Sequence, residues 1–190
     1  PQMYYVLGRI YRIGYEKLGQ DDLEKAENIL KKSLNYSKLR IEYFNELVQA
    51  LILRGKSEEA EKLVKEYIKN VDPSDPFHYL TIGHLYFVIG KYDLAMSFYE
   101  EARKKGHNFW ESYVEYSRYL STAEQLEDYQ KVVDISLEYL KNRGPDANTF
   151  FNLAVGYAHL GENQKAKEFF YKAVELNSDF EEHRAFFENL

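Results

Sequence analysis

Between Ile82 and Gly106 the apolar and small residues fall on two helical stripes divided by a glycine. Ile82, Gly83, Tyr86 and Ile89 recur at i, i+1, i+4 and i+7, one face of a helix. Gly90 breaks the run, and Tyr92, Ala95, Tyr99 and Ala102 form a second stripe. Gly83 and Ala95 carry almost no side chain, so this pattern predicts two helices whose backbones approach closely. Large residues on either side fill the remaining space. Ala102 makes the same allowance toward the following helix.

The small position of the second helix recurs along the chain. Ala26, Ala60, Ala95, Val132 and Ala166 occupy it, at intervals of 34, 35, 37 and 34 residues. Around it the chain reads as successive helix pairs. The first helix is expected from Met3 to Leu18, with Leu7, Ile10, Gly14 and Leu18 on its packing stripe. Asp21 and Glu24 suit a capping box before the next helix, whose stripe is Leu23, Ala26, Leu30 and Ser33. Leu47, Val48 and Leu51, the turn Gly55, and Ala60, Val64 and Tyr67 make the second pair. Asp75 and Pro76 open the third as N-cap and first helical residue, and Gly106 closes it.

The fourth pair departs from the pattern. Phe109 to Leu120 is helical, but no glycine turn follows. Ser121 and Glu124 suit a capping box for a helix running to about Arg143, with the extra residues of the long interval placed between the two helices. Val132 in place of alanine should push these helices slightly apart. Gly144, Pro145 and Asp146 stop one helix and cap the next. In the fifth pair Leu153, Ala154, Tyr157, Leu160, Gly161, Ala166, Phe170 and Ala173 repeat the pattern of the third. Ser178 and Glu181 suit a final capping box, and a helix from Phe180 to Leu190 is expected to cover the open end.

This arrangement resembles the tetratricopeptide repeat, a helix–turn–helix unit of about 34 residues. The family's small, aromatic and turn positions correspond here to Gly83, Tyr86, Gly90, Tyr92, Ala95, Tyr99 and Ala102. The resemblance implies repeats at 3–38, 41–72, 76–106, 108–143 (atypical) and 147–178, with a capping helix at 180–190. It implies an all-α fold, a right-handed superhelical solenoid of antiparallel helix pairs. In such an array the first helices line an inner trough that receives a segment of another protein. On that reading Tyr11, Tyr15, Asn45, Gln49, Leu80, His84 and Phe87 would face the trough. In the later pairs Glu111, Glu115, Arg118, Tyr119, Phe151, Val155 and His159 would join them. Some family members clamp a chaperone's C-terminal carboxylate with basic residues on consecutive first helices. No window here supplies those residues, so that function is rejected. Glu42, Glu111 and Glu115 against Arg118 suit an apolar or mildly basic protein or peptide segment instead.

Composition narrows the alternatives. The 190 residues include no Cys, which excludes disulfides and thiolate metal sites and fits a reducing, cytoplasmic setting. A net charge of −6 disfavours nucleic acid, and no apolar run is long enough to span a membrane. The five histidines make no metal-protease pattern, and no phosphate loop or nucleophile elbow occurs, so neither catalysis nor a cofactor is expected. Two further readings remain. Trp110 to Tyr116 resembles the first helix of the half-repeat found in RNA-processing scaffolds, and the chain could be an accessory region of a larger enzyme. The aromatic N-terminal stretch from Met3 to Tyr15 suggests self-association through that helix.

Overall fold

Each helix of this chain is built from local signals that the amino-acid order already carries. The computed structural model describes residues 6–9, 20–36, 41–70, 72 and 74–190, and no strand forms among them. Residues 6–9 are helical, and the elements that follow are α1 (Gln20–Tyr36), α2 (Ile41–Leu53), α3 (Ser57–Ile68), α4 (Pro76–Ile89) and α5 (Tyr92–Lys104). A 3-10 turn (Phe109–Glu111) precedes α6 (Tyr113–Gln125), α7 (Tyr129–Arg143), α8 (Ala147–His159) and α9 (Asn163–Leu176). A second 3-10 segment (Ser178–His183) leads into the short α10 (Arg184–Glu188). The chain divides into two compact units, 1–107 and 108–190.

The turns inside the helix pairs share one geometry. At Gly55, Gly90 and Gly161 the backbone is left-handed, with φ of +72°, +77° and +73°. Each glycine N–H donates to the carbonyl three residues back, and the next N–H donates five residues back. These bonds satisfy carbonyls that the helix end would otherwise leave open. In the fourth pair Glu127 takes the same conformation, φ 54°, and Asp128 completes the same two bonds. The turn is therefore present without its glycine.

Side-chain caps fix the starts of the first helices in the third, fourth and fifth pairs. Asp75 accepts from Phe77 N at 2.9 Å, Ser112 from Glu115 N at 3.4 Å, and Asp146 from Thr149 N at 2.8 Å. The interval from cap to left-handed residue is 15 in all three pairs: Asp75 to Gly90, Ser112 to Glu127, Asp146 to Gly161. The fourth pair thus has no insertion between its helices, contrary to expectation. Its extra residues lie ahead of Ser112, in the 3-10 turn. Ser121 and Glu124 lie inside α6, and Asp128 caps α7 by accepting from Lys131 N at 3.0 Å. Asp21 likewise falls in the first turn of α1 rather than before it. At the C-terminal end Asn177 is the cap, accepting from Asp179 N at 3.0 Å, while Glu181 pairs with Arg184 at 2.6 Å.

In the first unit the small residues sit at the helix contacts. A Cβ on Gly83 would lie 2.5 Å from the Tyr99 ring and 3.3 Å from the Ala95 carbonyl oxygen. Ala26, Ala60, Ala95 and Ala102 are fully buried. In the first pair the matching contact falls at Gly8, whose Cβ would meet Leu30 at 2.5 Å. Leu30 and Tyr99 both stand four residues after the small alanine, so Gly8 and Gly83 are equivalent. The expected stripe is shifted: Leu7 is exposed. Gly14, Ile10 and Leu18 lie outside the described residues.

The second unit has a core of Val133, Leu153, Ala154, Tyr157, Ala166, Phe170 and Phe187. Gly156 brings α8 onto α7, where a Cβ would lie 2.8 Å from Val133 and 3.5 Å from Val132. Leu160, expected on the packing stripe, is exposed at the end of α8. The Tyr116 and Thr149 hydroxyls lie 3.3 Å apart, and Thr149 also donates to the Asp146 cap at 2.6 Å. This chain of bonds ties the first helix of one pair to the start of the next. Burial pushes the Tyr116 hydroxyl pKa above its ordinary value, although the bond to Thr149 opposes the shift.

Candidate functional site

On α2, Asn45 and Gln49 are half-buried one turn apart, with Gln49 Nε2 donating to Asn45 Oδ1 at 3.2 Å. On α4, His84 sets the edge of its ring against Tyr99 at 5.5 Å, and Phe87 does the same against Tyr92 at 5.6 Å. Leu80, expected beside them, is only 1% exposed. The helix α4 that carries it packs against α2, α3 and α5. Leu80 therefore offers no surface to a partner. Tyr11 and Tyr15 lie outside the described residues.

In the second unit Glu111 is exposed, but it sits on the 3-10 turn, where Asn108 Nδ2 donates to it at 3.1 Å. Glu115 and Arg118 are half-buried on α6. Tyr119 is fully buried against Phe109, ring centroids 4.7 Å apart, and is a core residue rather than a trough residue. The apolar surface of α6 is instead carried by Tyr113 and Val114, 54% and 57% exposed. Sequence reasoning missed both, because neither lies on the spacing counted from the turn. Trp110 is buried in the 3-10 turn near Tyr116 and Tyr139, so it plugs the core of its own unit rather than forming part of α6.

On α8, Phe151 is not open. Phe180 stacks on it at 4.6 Å and the His183 ring lies 4.9 Å away. Val155 packs against the same core. The C-terminal segment holds this position through Phe187, stacked on Phe170 at 4.5 Å, and through Asn163 Nδ2 donating to the Leu190 carbonyl at 2.6 Å. His159 is exposed and stacks parallel to Tyr129 at 3.8 Å. No cluster among the described residues could hold a metal ion.

A second surface was not anticipated. In the first unit a groove of about 920 Å³ runs between α1 and α3, with α2 as its floor. Leu34, Phe44, Leu47, Leu51 and Leu63 supply its apolar lining, and Lys31, Glu59, Lys62 and Glu66 its rim. Leu47 and Leu51 lie about 150° around α2 from Asn45 and Gln49, so the groove opens on nearly the opposite side. One end is closed by Lys31 of α1 reaching Glu59 of α3 at 3.4 Å. Lys31 is also bound to Glu27 at 2.5 Å. Glu27 is 2% exposed and accepts from Arg54 and, at 3.1 Å, from Lys56. Burial pushes its carboxyl up, but the bonds from Lys31, Lys56 and Arg54 outweigh that and hold it below the usual range. The bond to Glu27 raises Lys31 in turn.

Comparisons with known proteins agree with this architecture. The sequence model of the tetratricopeptide repeat matches residues 79–102 and 147–180. Among solved structures, a crystal structure of MamA is 18% identical, covers 98% of this chain and 94% of its own, and superposes with a TM-score of 0.64. MamA 41-end from Desulfovibrio magneticus RS-1 is 20% identical over 77% of this chain and 82% of its own, with a TM-score of 0.60. A structure of Naa15/Naa10 bound to HypK is 22% identical over 91% of this chain but 25% of its own, also at 0.60. At these identities the likeness is one of fold. No curated protein sequence matches the chain significantly.

Proposed function

Because the chain carries tetratricopeptide repeats and shares the fold of MamA, we propose that it is a non-catalytic protein-interaction scaffold whose first helices receive a partner segment. The supporting observation is the composition of those helix faces. In the first unit Asn45, Gln49, His84 and Phe87 mix polar and aromatic groups at partial exposure. In the second, Tyr113 and Val114 are strongly exposed beside Glu115 and Arg118. Exposed apolar side chains rimmed by polar ones favour a protein partner. The carboxylates of Glu111 and Glu115 favour an apolar or mildly basic segment over an acidic one. The Naa15/Naa10 structure, bound to HypK, is a precedent for this fold in a protein complex.

We read the units as repeats 3–38, 41–72, 76–106, 108–143 and 147–178, closed by the segment at 180–190, and assign the chain to the cytoplasm. No helix among the described residues is long and apolar enough to cross a membrane. The exposed Val6 and Leu7 support pairing through the N-terminal helix as an accessory contact. Sedimentation across a concentration range tests that contact, and a persistent monomer removes it. For the main reading, a partner captured from source lysate should bind several-fold more weakly when Glu111 and Glu115 are both changed to Lys. Unchanged capture by that double variant would overturn the assignment of this face.

A further inference from the structure

The segment that follows α9 keeps the repeat register but changes its chemistry. Phe187 stands 34 residues after Leu153, and both are buried. By the same interval Phe180 falls where Asp146 caps α8, a position that Asp75 and Ser112 hold in the two pairs before. A phenylalanine has no oxygen with which to cap a helix. Here the cap moves back to Asn177, and the 3-10 segment Ser178–His183 takes the place of the first helical turns. The ring of Phe180 then lies on Phe151 of α8, 4.6 Å away and tilted by only 19°, and the His183 ring sits 4.9 Å from the same residue. Phe151 belongs to the first-helix face, so the chain covers part of that face with two rings of its own.

We propose that Ser178–His183 is a displaceable strap, which holds in cis the place on Phe151 of an aromatic residue from the partner segment and lifts when that residue binds. The inference rests on the reading that first helices receive a partner, and adds the partner's chemistry and its regulation. The strap offers the face an apolar ring and a weakly basic one. Its carboxylates turn away: Glu181 pairs with Arg184 at 2.6 Å, and the Glu182 side chain is 76% exposed. That matches the apolar or mildly basic character proposed for the partner. The strap is lightly held. Phe180 is half-buried, and the rest of Ser178–His183 is exposed. Six residues of 3-10 helix exceed the usual short run, and a segment with few buried contacts opens locally without unfolding its neighbours. The firm hold lies beyond it. Phe187 is 1% exposed and stacks on Phe170. Asn163 and Lys167 of α9 donate to the carbonyls of Leu190 and Glu188, at 2.6 and 3.2 Å. Phe180 can therefore leave Phe151 while Phe187 stays seated and the core of the unit stays closed.

The test uses the full chain and a synthetic peptide with the sequence of residues 177–184, which supplies the strap in trans. A strap in cis competes at an effective concentration in the millimolar range, so the wild type should bind this peptide weakly. Phe180→Ala removes the covering ring and should bind it about five-fold more tightly, the change expected for one aromatic contact. His183→Ala should act in the same direction by a smaller factor, and because His183 is exposed the fold is kept. Methyl NMR should show shifts at Val155 and Ala158, one and two turns beyond Phe151 on α8. A peptide with Ala in place of its Phe should not bind. A partner captured through Glu111 and Glu115 should also be held more tightly by Phe180→Ala. Equal affinity of the wild type and Phe180→Ala, equal binding of the Phe and Ala peptides, or no binding by any variant would overturn the strap. A partner whose capture falls with the double change of Glu111 and Glu115 to Lys, yet ignores Phe180→Ala, would overturn it and leave the first-helix reading in place. Peptide binding that follows Phe180→Ala, beside capture that ignores the double change, would count for the strap and against that reading.

Discussion

The second and third helix pairs share a backbone plan and differ in how they fill it. Both turn at a left-handed glycine, Gly55 or Gly90, and both bury an alanine five residues later, Ala60 or Ala95. In the third pair Tyr86 and Phe98 stack and close the space beside them. In the second, Leu51 and Leu63 leave an apolar groove open. Register is thus carried by turns and small residues, whereas surface relief is carried by the large residues between them. A helix pair can open or close a groove without any change of fold.

The comparison is attacked most strongly at what the two pairs have in common. Ala60→Leu and Ala95→Leu should each cost about 1–3 kcal/mol in denaturant melts, because overpacking a close helix contact forces the backbones apart. Ala166→Leu should match them. Val132→Leu should cost less, since that site already holds a branched side chain. Equal losses at Val132 and the alanines would break the alignment on which the comparison rests.

A second test concerns the buried carboxylate of the first unit. Glu27→Gln should cost about 2 kcal/mol at neutral pH, because it removes the carboxylate shared by Lys31, Arg54 and Lys56. The carboxyl's folded pKa lies below its unfolded value, so its stabilisation is complete above the ordinary glutamate pKa of about 4.3. That contribution is lost as pH falls through the depressed folded value. Melts of the wild type should therefore lose stability with acid more steeply than melts of Glu27→Gln in this window. Parallel curves would remove the assigned role.

Smaller effects separate the filled groove from the open one. Phe98→Leu, which copies the second pair into the third, should cost about 1 kcal/mol by leaving Tyr86 without its stacked ring. Leu63→Phe should be close to neutral, because the space already exists. A loss at Leu63→Phe as large as that of Ala95→Leu would mean the space is not there. A change of the opposite sign is expected at the fourth turn. Glu127→Gly should raise stability by about 0.5–1 kcal/mol, since a left-handed conformation strains any residue with a Cβ.

Much of this was legible in the chain. The intervals between Ala26, Ala60, Ala95, Val132 and Ala166 located the buried second-helix positions, and Asp75, Asp146 and the turn glycines marked helix ends that the structure reproduces. The fourth turn was misjudged because a glycine was sought. What recurs there is a conformation and its two hydrogen bonds, which Glu127 also provides. In the first pair Leu7, expected on the packing stripe, is exposed, and Gly8 is the residue that meets the second helix. Only the contact with Leu30 identifies the equivalent glycine.

By itself, then, the amino-acid order determined the helical class, the period, the turns and the caps. These are local properties: a cap bonds within three residues, and a glycine's freedom belongs to its own backbone. Packing decided what reaches the surface. Leu80 and Tyr119 vanish into cores, Phe151 is covered by Phe180, and a groove forms beside Leu63. Each outcome depends on a neighbour supplied by another helix, and the size of that neighbour cannot be read from the spacing of a single stripe.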